Sequence, residues 1–310
     1  MASIGLKVIR RLFGAAEFVS PRLAGRAAFE LFRRTPGEKS LSEAEKRAIA
    51  RAADFMAEAR HHRIKTRKGC VAIHEFRPAQ GRAQAGTVLV IHGWRSRTEY
   101  MRALIEGYLS AGYRVVSLDL PGHGGSLGRA LDMAKAVEAA TLAGQWFGPF
   151  EAIVGHSFGG AVAVNAAAGT VKGFAPLSAK RLVLIAAPDS MPRLFEDFGR
   201  YINLGARTQH AIAGQVERVT GTPIHQFVSS RLLMRLSIPT LIIHAPDDRE
   251  VSAKDARAMA GAGRHVRLFW AEGLGHRRIL SDARVVDEGV GFVRNSLVLE
   301  TVLERHESAA

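Results

Sequence analysis

The spacing of apolar positions changes along the chain, and the change divides it. Over residues 1–67 the period is helical. Ile4, Val8, Leu12, Ala15 and Val19 recur at three- to four-residue spacing, with Lys7, Arg10 and Arg11 elsewhere around the helix. Ser20-Pro21 breaks that pattern, and Pro21 is placed to open a second helix through Phe29, Leu31 and Phe32. Ser40-Leu41-Ser42-Glu43-Ala44-Glu45 carries capping-box chemistry and predicts a third helix to about Ala59. His61-His62, between Arg60 and Arg63, reads as a solvated polar turn, because no carboxylate or cysteine cluster accompanies it.

From Cys70 onward, short apolar runs alternate with helical periods. Strands are predicted at Cys70–Phe76, Thr87–Ile91, Arg114–Leu118, Ala152–Val154, Arg181–Ala186, Ile238–His244 and Val266–Trp270. Helices are predicted at about Glu99–Ala111, Arg129–Phe147, Ala253–Ala260 and Arg284–Val298, with another directly after residue 157 and a polar turn at 80–84. The unbroken run Thr87–Ile91 suits a strand buried on both faces of a parallel sheet. The alternation predicts an α/β class with a doubly wound, mostly parallel sheet, and ligand chemistry at the carboxyl ends of the strands.

One interval breaks the rhythm. Between Ala187 and Ile238 lie about 50 residues, where a connection usually takes a few. Leu194, Phe195, Phe198, Tyr201 and Ile202, then Ile212, Val216 and Val219, then Phe227, Val228, Leu232 and Leu233 mark three short amphipathic helices. The division expected is an N-terminal helical extension (1–67), a core (68–188 and 236–310) and a helical lid (189–235). The insertion either sits above the strand ends or adds a helical layer at the side.

Composition narrows the class without naming a function. With 310 residues, 47% hydrophobic and 23% charged, the chain can bury a full core. The single cysteine, Cys70, excludes an internal disulfide framework. No apolar run approaches the roughly 18 residues needed to span a bilayer. Glu17 interrupts the N-terminal apolar stretch, which argues against a cleaved signal peptide; the expected location is the cytoplasm, free or peripheral to a membrane. Residues 1–68 hold 16 Lys/Arg against 7 Asp/Glu, so +9 of the net +14 lies there. No zinc-finger spacing or aromatic RNA-binding motif accompanies the charge, so a nucleic-acid partner is not expected. For the extension two readings compete: its apolar stripe packs on the main domain, or residues 1–35 rest peripherally on an anionic membrane surface.

The chemistry gathers around Ile153-Val154-Gly155-His156-Ser157-Phe158-Gly159-Gly160. Gly155-x-Ser157-x-Gly159 between a strand and a small-residue helix has the form of a nucleophile elbow. A serine held in an unfavourable backbone region needs neighbours without side chains where strand and helix pass closely. Its partners fall after predicted strands. His276, in a glycine-containing loop, suits a general base near neutral pH. Asp248, with Asp247 beside it, can orient that imidazole. The N–H of Phe158, and that of Trp94 in His92-Gly93-Trp94, can bind an oxyanion. No metal or organic cofactor is implied, since such a triad activates its own nucleophile.

These motifs, with Asp119-Leu120-Pro121-Gly122-His123-Gly124, Asp248-x-x-Val251 and Gly275-His276, make residues 70–300 resemble the α/β-hydrolase-fold serine hydrolases. The resemblance implies a Ser157–His276–Asp248 triad in that family's chain order and a cap at 189–235. The family's D-x-x-V pattern favours Asp248 over Asp247, and Asp189 matches a position where some members carry the acid. His92, His123 and His156 then orient loops or pack, and Asp119 stabilises its turn. Serine at the elbow argues against the dehalogenases and epoxide hydrolases, which use aspartate there. The implied activity is cleavage of a small-molecule ester or thioester with a hydrophobic portion through an acyl-enzyme. Transfer to another acceptor, carbon–carbon bond hydrolysis, or a non-catalytic binding or membrane-surface role on the same scaffold are the alternatives.

Overall fold

The computed structural model describes residues 4–35, 37, 41–79 and 85–294. The turn expected at 80–84, and the last helix beyond residue 294, lie outside them. One eight-stranded sheet organises the chain, in the order β1-β2-β4-β3-β5-β6-β7-β8. Its strands are β1 (Arg60–Thr66), β2 (Gly69–Phe76), β3 (Thr87–Ile91), β4 (Arg114–Leu118), β5 (Phe150–His156), β6 (Ala179–Ile185), β7 (Thr240–His244) and β8 (Val266–Trp270). The sheet is parallel from β4 through β3, β5, β6 and β7 to β8, and β2 alone runs against the other strands, pairing antiparallel with both β1 and β4. Strands β3 and β7 are buried along their whole length, as apolar runs without alternation require.

Helices cover both faces. On one lie α6 (Met133–Phe147) and α7 (Phe158–Ala167), whose Ala136, Ala140, Val162 and Ala166 are sealed against Leu89, Ile153 and Leu184. On the other, α4 (Ala53–Ala57), α5 (Arg102–Ser110) and the helix over residues 283–294 bury Phe55, Ile105, Tyr108 and Val293 against Val90, Val154 and Ile243. The α/β architecture is the one the alternation predicts.

Several elements differ from expectation. Residues 60–66 are a strand, not a polar turn, and pair with β2 from Arg60↔Glu75 to Thr66↔Gly69. Only Ile64 of this strand is buried, so its outer residues Arg60, Arg63 and Lys65 could be charged, as suits a sheet edge. The capping box at Ser42 and Glu45 is present, but the helix it opens, α3 (Glu43–Arg51), breaks at Ala52 before α4. A 3₁₀ turn, Thr98–Met101, precedes α5. The helix expected from Arg129 starts at Met133, capped by Asp132. Residues 129–131 are instead engaged in pairing: Leu131 N–H donates to Arg33 O and Thr35 N–H to Arg129 O.

The insertion contains α8 (Met191–Tyr201), α9 (Ala206–Thr220), a 3₁₀ turn and α10 (Ser229–Leu233), closed at its base by a Ser190↔Val228 bridge. Two N-terminal helices, α1 (Ile4–Val19) and α2 (Pro21–Arg33), lie against it. Small residues let α2 approach α9: a Cβ on Gly25 would stand 2.6 Å from Ala211 Cβ. Arg10 donates to Tyr201 O at 2.8 Å, and Glu17 accepts from Gly205 N–H at 2.9 Å. The packed face of α1 is Leu6, Ile9 and Phe13. This reverses the expected packing. Val8, Leu12 and Val19 of the predicted stripe face outward, 49%, 65% and 81% exposed, and Phe18 beside them is 94% exposed. Among the described residues, no helix is long and apolar enough to cross a membrane.

Candidate active site

Strand β5 delivers Ser157 to the top of the sheet in a conformation that L-residues rarely adopt, φ 53°, ψ −124°. The flanking glycines are required by contact. A Cβ on Gly155 would meet Gly159 O at 2.4 Å, and one on Gly159 would meet Ile91 O at 2.2 Å. The strain is held by the hydrogen bond from Ser157 N–H to Ile185 O and by the fully buried helix that follows.

The chain brings three distant side chains into one line. Ser157 Oγ lies 3.0 Å from His276 Nε2, and His276 Nδ1 lies 2.7 Å from Asp248 Oδ2. The other oxygen of Asp248 accepts the N–H groups of Glu250 and Val251. Burial alone would raise the Asp248 carboxyl. The hydrogen bonds from His276 and these two amides outweigh it and hold the group below the usual carboxylate range. Nδ1 of His276 therefore carries the proton given to Asp248, and Nε2 is free to accept from the serine hydroxyl.

A second layer fixes the imidazole. His156 Nε2 donates to His276 O at 2.9 Å, and burial pushes His156 down to about 3, so the donor stays neutral. Asp247 has a different task from its neighbour: its Oδ1 accepts Gly273 and Gly275 N–H, shaping the loop that carries His276. Asp189 does not reach the imidazole. Its carboxylate accepts Ser230 N–H and ties down the base of the insertion.

The loop after β3 runs against the serine, where a Cβ on Gly93 would sit 2.8 Å from Ser157 Cβ. His92 holds this loop, donating from Nδ1 to Gly93 O and accepting Leu120 N–H at Nε2. His123 accepts Arg95 N–H. Asp119 accepts from Thr98, Gly125 and His74; these hydrogen bonds overcome its burial and keep its carboxyl well below the ordinary value. Among the described residues, the N–H groups of Trp94 and Phe158 have no protein acceptor, and Phe158 begins α7, where such groups are unpaired within the helix.

Ser157 and His276 open into a cavity of about 730 Å³. Trp94, Phe158 and Pro188 line it from the core, and Leu194 and Phe198 from α8. The remaining wall was not foreseen: Leu31 and Phe32 come from α2, and Arg34 from the extended residue just after it. Phe32 packs against Phe195 in a tilted arrangement, 4.3 Å between ring centres, and its ring also neighbours those of Trp94 and Phe198. In the sequence Phe32 is one apolar position of a helical stripe, with no local mark of a pocket. Among the described residues, no group of three or more His, Cys, Asp or Glu is arranged to hold a metal ion.

The sheet order, the strained serine and the lined-up histidine and aspartate define an α/β-hydrolase-type fold. The chain belongs to the alpha/beta hydrolase family, whose model matches residues 88–288. Several solved structures share the fold at low identity. Est1E from Butyrivibrio proteoclasticus with ferulic acid bound is 17% identical, with a TM-score of 0.60, covering 78% of this chain and 99% of its own. The carboxylesterase CesB from Bacillus subtilis is 17% identical, with a TM-score of 0.57, covering 81% and 97%. A membrane phospholipase A, a bacterial virulence factor, is 20% identical, with a TM-score of 0.58, covering 81% and 92%. No curated protein sequence matches the chain.

Proposed function

We propose that the protein is a serine hydrolase cleaving carboxylic esters or thioesters with a hydrophobic portion. The observation that carries this reading is the continuous hydrogen-bonded line from Ser157 through His276 to Asp248 at the floor of a largely apolar cavity. Ser157 Oγ attacks the carbonyl carbon while His276 Nε2 takes its proton, and Asp248 stabilises the imidazolium. The N–H groups of Trp94 and Phe158 bind the oxyanion. Collapse of the tetrahedral intermediate expels the alcohol or thiol, which leaves with the proton from Nε2. Water then gives a proton to His276 and attacks the acyl-serine, releasing the acid and restoring Ser157. The insertion at 189–235 acts as a cap and, with the N-terminal helices, selects the apolar part of the substrate. Two of the fold relatives carry names of this reaction class, a carboxylesterase and a phospholipase. A fluorophosphonate probe is expected to label the wild type and not Ser157→Ala; a folded wild type that stays unlabelled would sink the mechanism.

We also infer that α1 rests on an anionic membrane surface. The support is its outward apolar face, Val8, Leu12, Phe18 and Val19, with the cations Lys7 and Arg11 on the same helix.

A further inference from the structure

The cavity at Ser157 is one of two adjoining spaces. Beside it lies another of about 380 Å³, and Thr35, Gly37, Arg95 and Arg129 line both. The two differ in chemistry. Aromatic and aliphatic side chains surround Ser157, whereas the annex is bounded by the loop over residues 122–129, Ser96, Tyr100 and the arginines at 63, 95, 97 and 129.

Most of that positive charge is not consumed internally. Arg97 is paired with Glu99 at 2.7 Å, and Arg63 donates to Gly125 O. The side chains of Arg95 and Arg129 make no ion pair or hydrogen bond among the described residues, nor does that of Arg34 on the Ser157 side. Two carboxylates among the described residues also face these spaces. Glu45 accepts the N–H and hydroxyl of Ser42, which with the weaker pull of Arg95 keep it ionised, and Glu250 pairs with Arg277 at 3.2 Å. Among the described residues the guanidinium groups at this cavity edge outnumber the carboxylates, which suits an oxyanion with several acceptor atoms, since arginine presents a planar fork of donors to phosphate.

We propose that the annex is the subsite for a phosphate group on the alcohol or thiol portion of the substrate. This rests on the serine-hydrolase reading. The acyl chain occupies the apolar space at Leu31, Phe32 and Phe198, its carbonyl lies at Ser157, and the leaving group passes Arg95 into the annex. Arg95 follows Trp94 directly, so the leaving group crosses the oxyanion loop as it enters.

Two sources carry this chemistry, a phosphorylated glycerol ester and a coenzyme A thioester, and matched pairs separate them. The full chain is assayed with 1-octanoylglycerol against its 3-phosphate, and with octanoyl-N-acetylcysteamine against octanoyl-coenzyme A. In at least one pair the phosphate-bearing member is expected to show about tenfold higher kcat/KM, weakening as salt rises. Arg129→Gln, and the double variant with Arg95→Asn, should lower that ratio; asparagine is chosen because Arg95 has φ 54° and asparagine tolerates it. Equal kcat/KM within both pairs, or a ratio unmoved in Arg129→Gln and in the folded double variant, overturns the subsite. Turnover of the neutral members dependent on Ser157 would leave the hydrolase reading standing. If none of the four is turned over, calorimetry with glycerol 3-phosphate decides: binding lost in Arg129→Gln supports the subsite, and no binding overturns it.

Discussion

Alanine at Gly25 tests whether the N-terminal helices are seated on the insertion as described. Within α2 the exchange by itself favours the helix by about 1 kcal/mol, since glycine has more backbone freedom to lose. The added methyl works against this. It would lie 2.6 Å from Ala211 Cβ and 3.0 Å from Thr208 O, where carbon atoms settle at about 3.5–4.0 Å. To restore contact distance α2 must lift from α9 by about 1 Å, and overpacking of this kind costs about 1–3 kcal/mol. Gly14→Ala in α1 supplies the control, with the same helical gain and nothing within 4 Å of the new atom. Gly25→Ala should therefore fall below Gly14→Ala by about 1–3 kcal/mol in urea unfolding. Lifting α2 also moves Leu31 and Phe32, two turns onward in the cavity wall, so KM for longer acyl chains should rise across a p-nitrophenyl ester series. Equal stability of the two variants with an unchanged chain-length profile would refute the docking.

Acid should weaken the fold as buried, neutral histidines take up protons, His123 and His156 among them. Burial pushes His123 down to about 4 and His156 to about 3, against about 6.5 in the unfolded chain. The folded state thus binds fewer protons below pH 6.5, so this stability is complete above that pH and declines as pH falls toward the folded values. Linkage gives a loss of about 2 kcal/mol per histidine between pH 7 and pH 5. Urea midpoints at the two pH values measure it, and a flat profile would contradict the neutral burial of these rings. Asp119 and Asp248, whose carboxyls are depressed, add a separate loss only below the ordinary carboxylate range. For the membrane face, Leu12→Glu with Phe18→Glu should reduce co-sedimentation with phosphatidylglycerol vesicles by about tenfold or more, from two lost apolar insertions. Equal binding of wild type and variant would remove that contact.

The elbow was legible in the sequence because its chemistry leaves few alternatives. Backbone oxygens stand where side chains at Gly155 and Gly159 would go, and a histidine and an aspartate follow later strands. Helix Ala253–Ala260 and strand Val266–Trp270 coincide with prediction because sharp end signals bound them. The N-terminal region was harder for two reasons. An edge strand that buries only Ile64 carries almost no hydrophobic period. Helix α1 carries two apolar stripes, and period alone does not say which one a protein covers; Arg10 and Glu17, by gripping Tyr201 O and Gly205 N–H, select the Leu6–Ile9–Phe13 side. The pocket wall built by Phe32 depends on where α2 docks, which is tertiary information.

The links from Arg10 to Tyr201 and from Glu17 to Gly205 span 191 and 188 residues. During synthesis, α1 and α2 emerge long before the segment they grip exists, and helices of this length are marginal on their own in water. The strands from β3 to β6 and the turn at Ser157 are made before that segment is complete, so the chain can form this turn before the cavity beside it has its full wall. On the proposed function, substrate selectivity is then a late-maturing property of the polypeptide, acquired when α2 returns to close the wall beside Ser157.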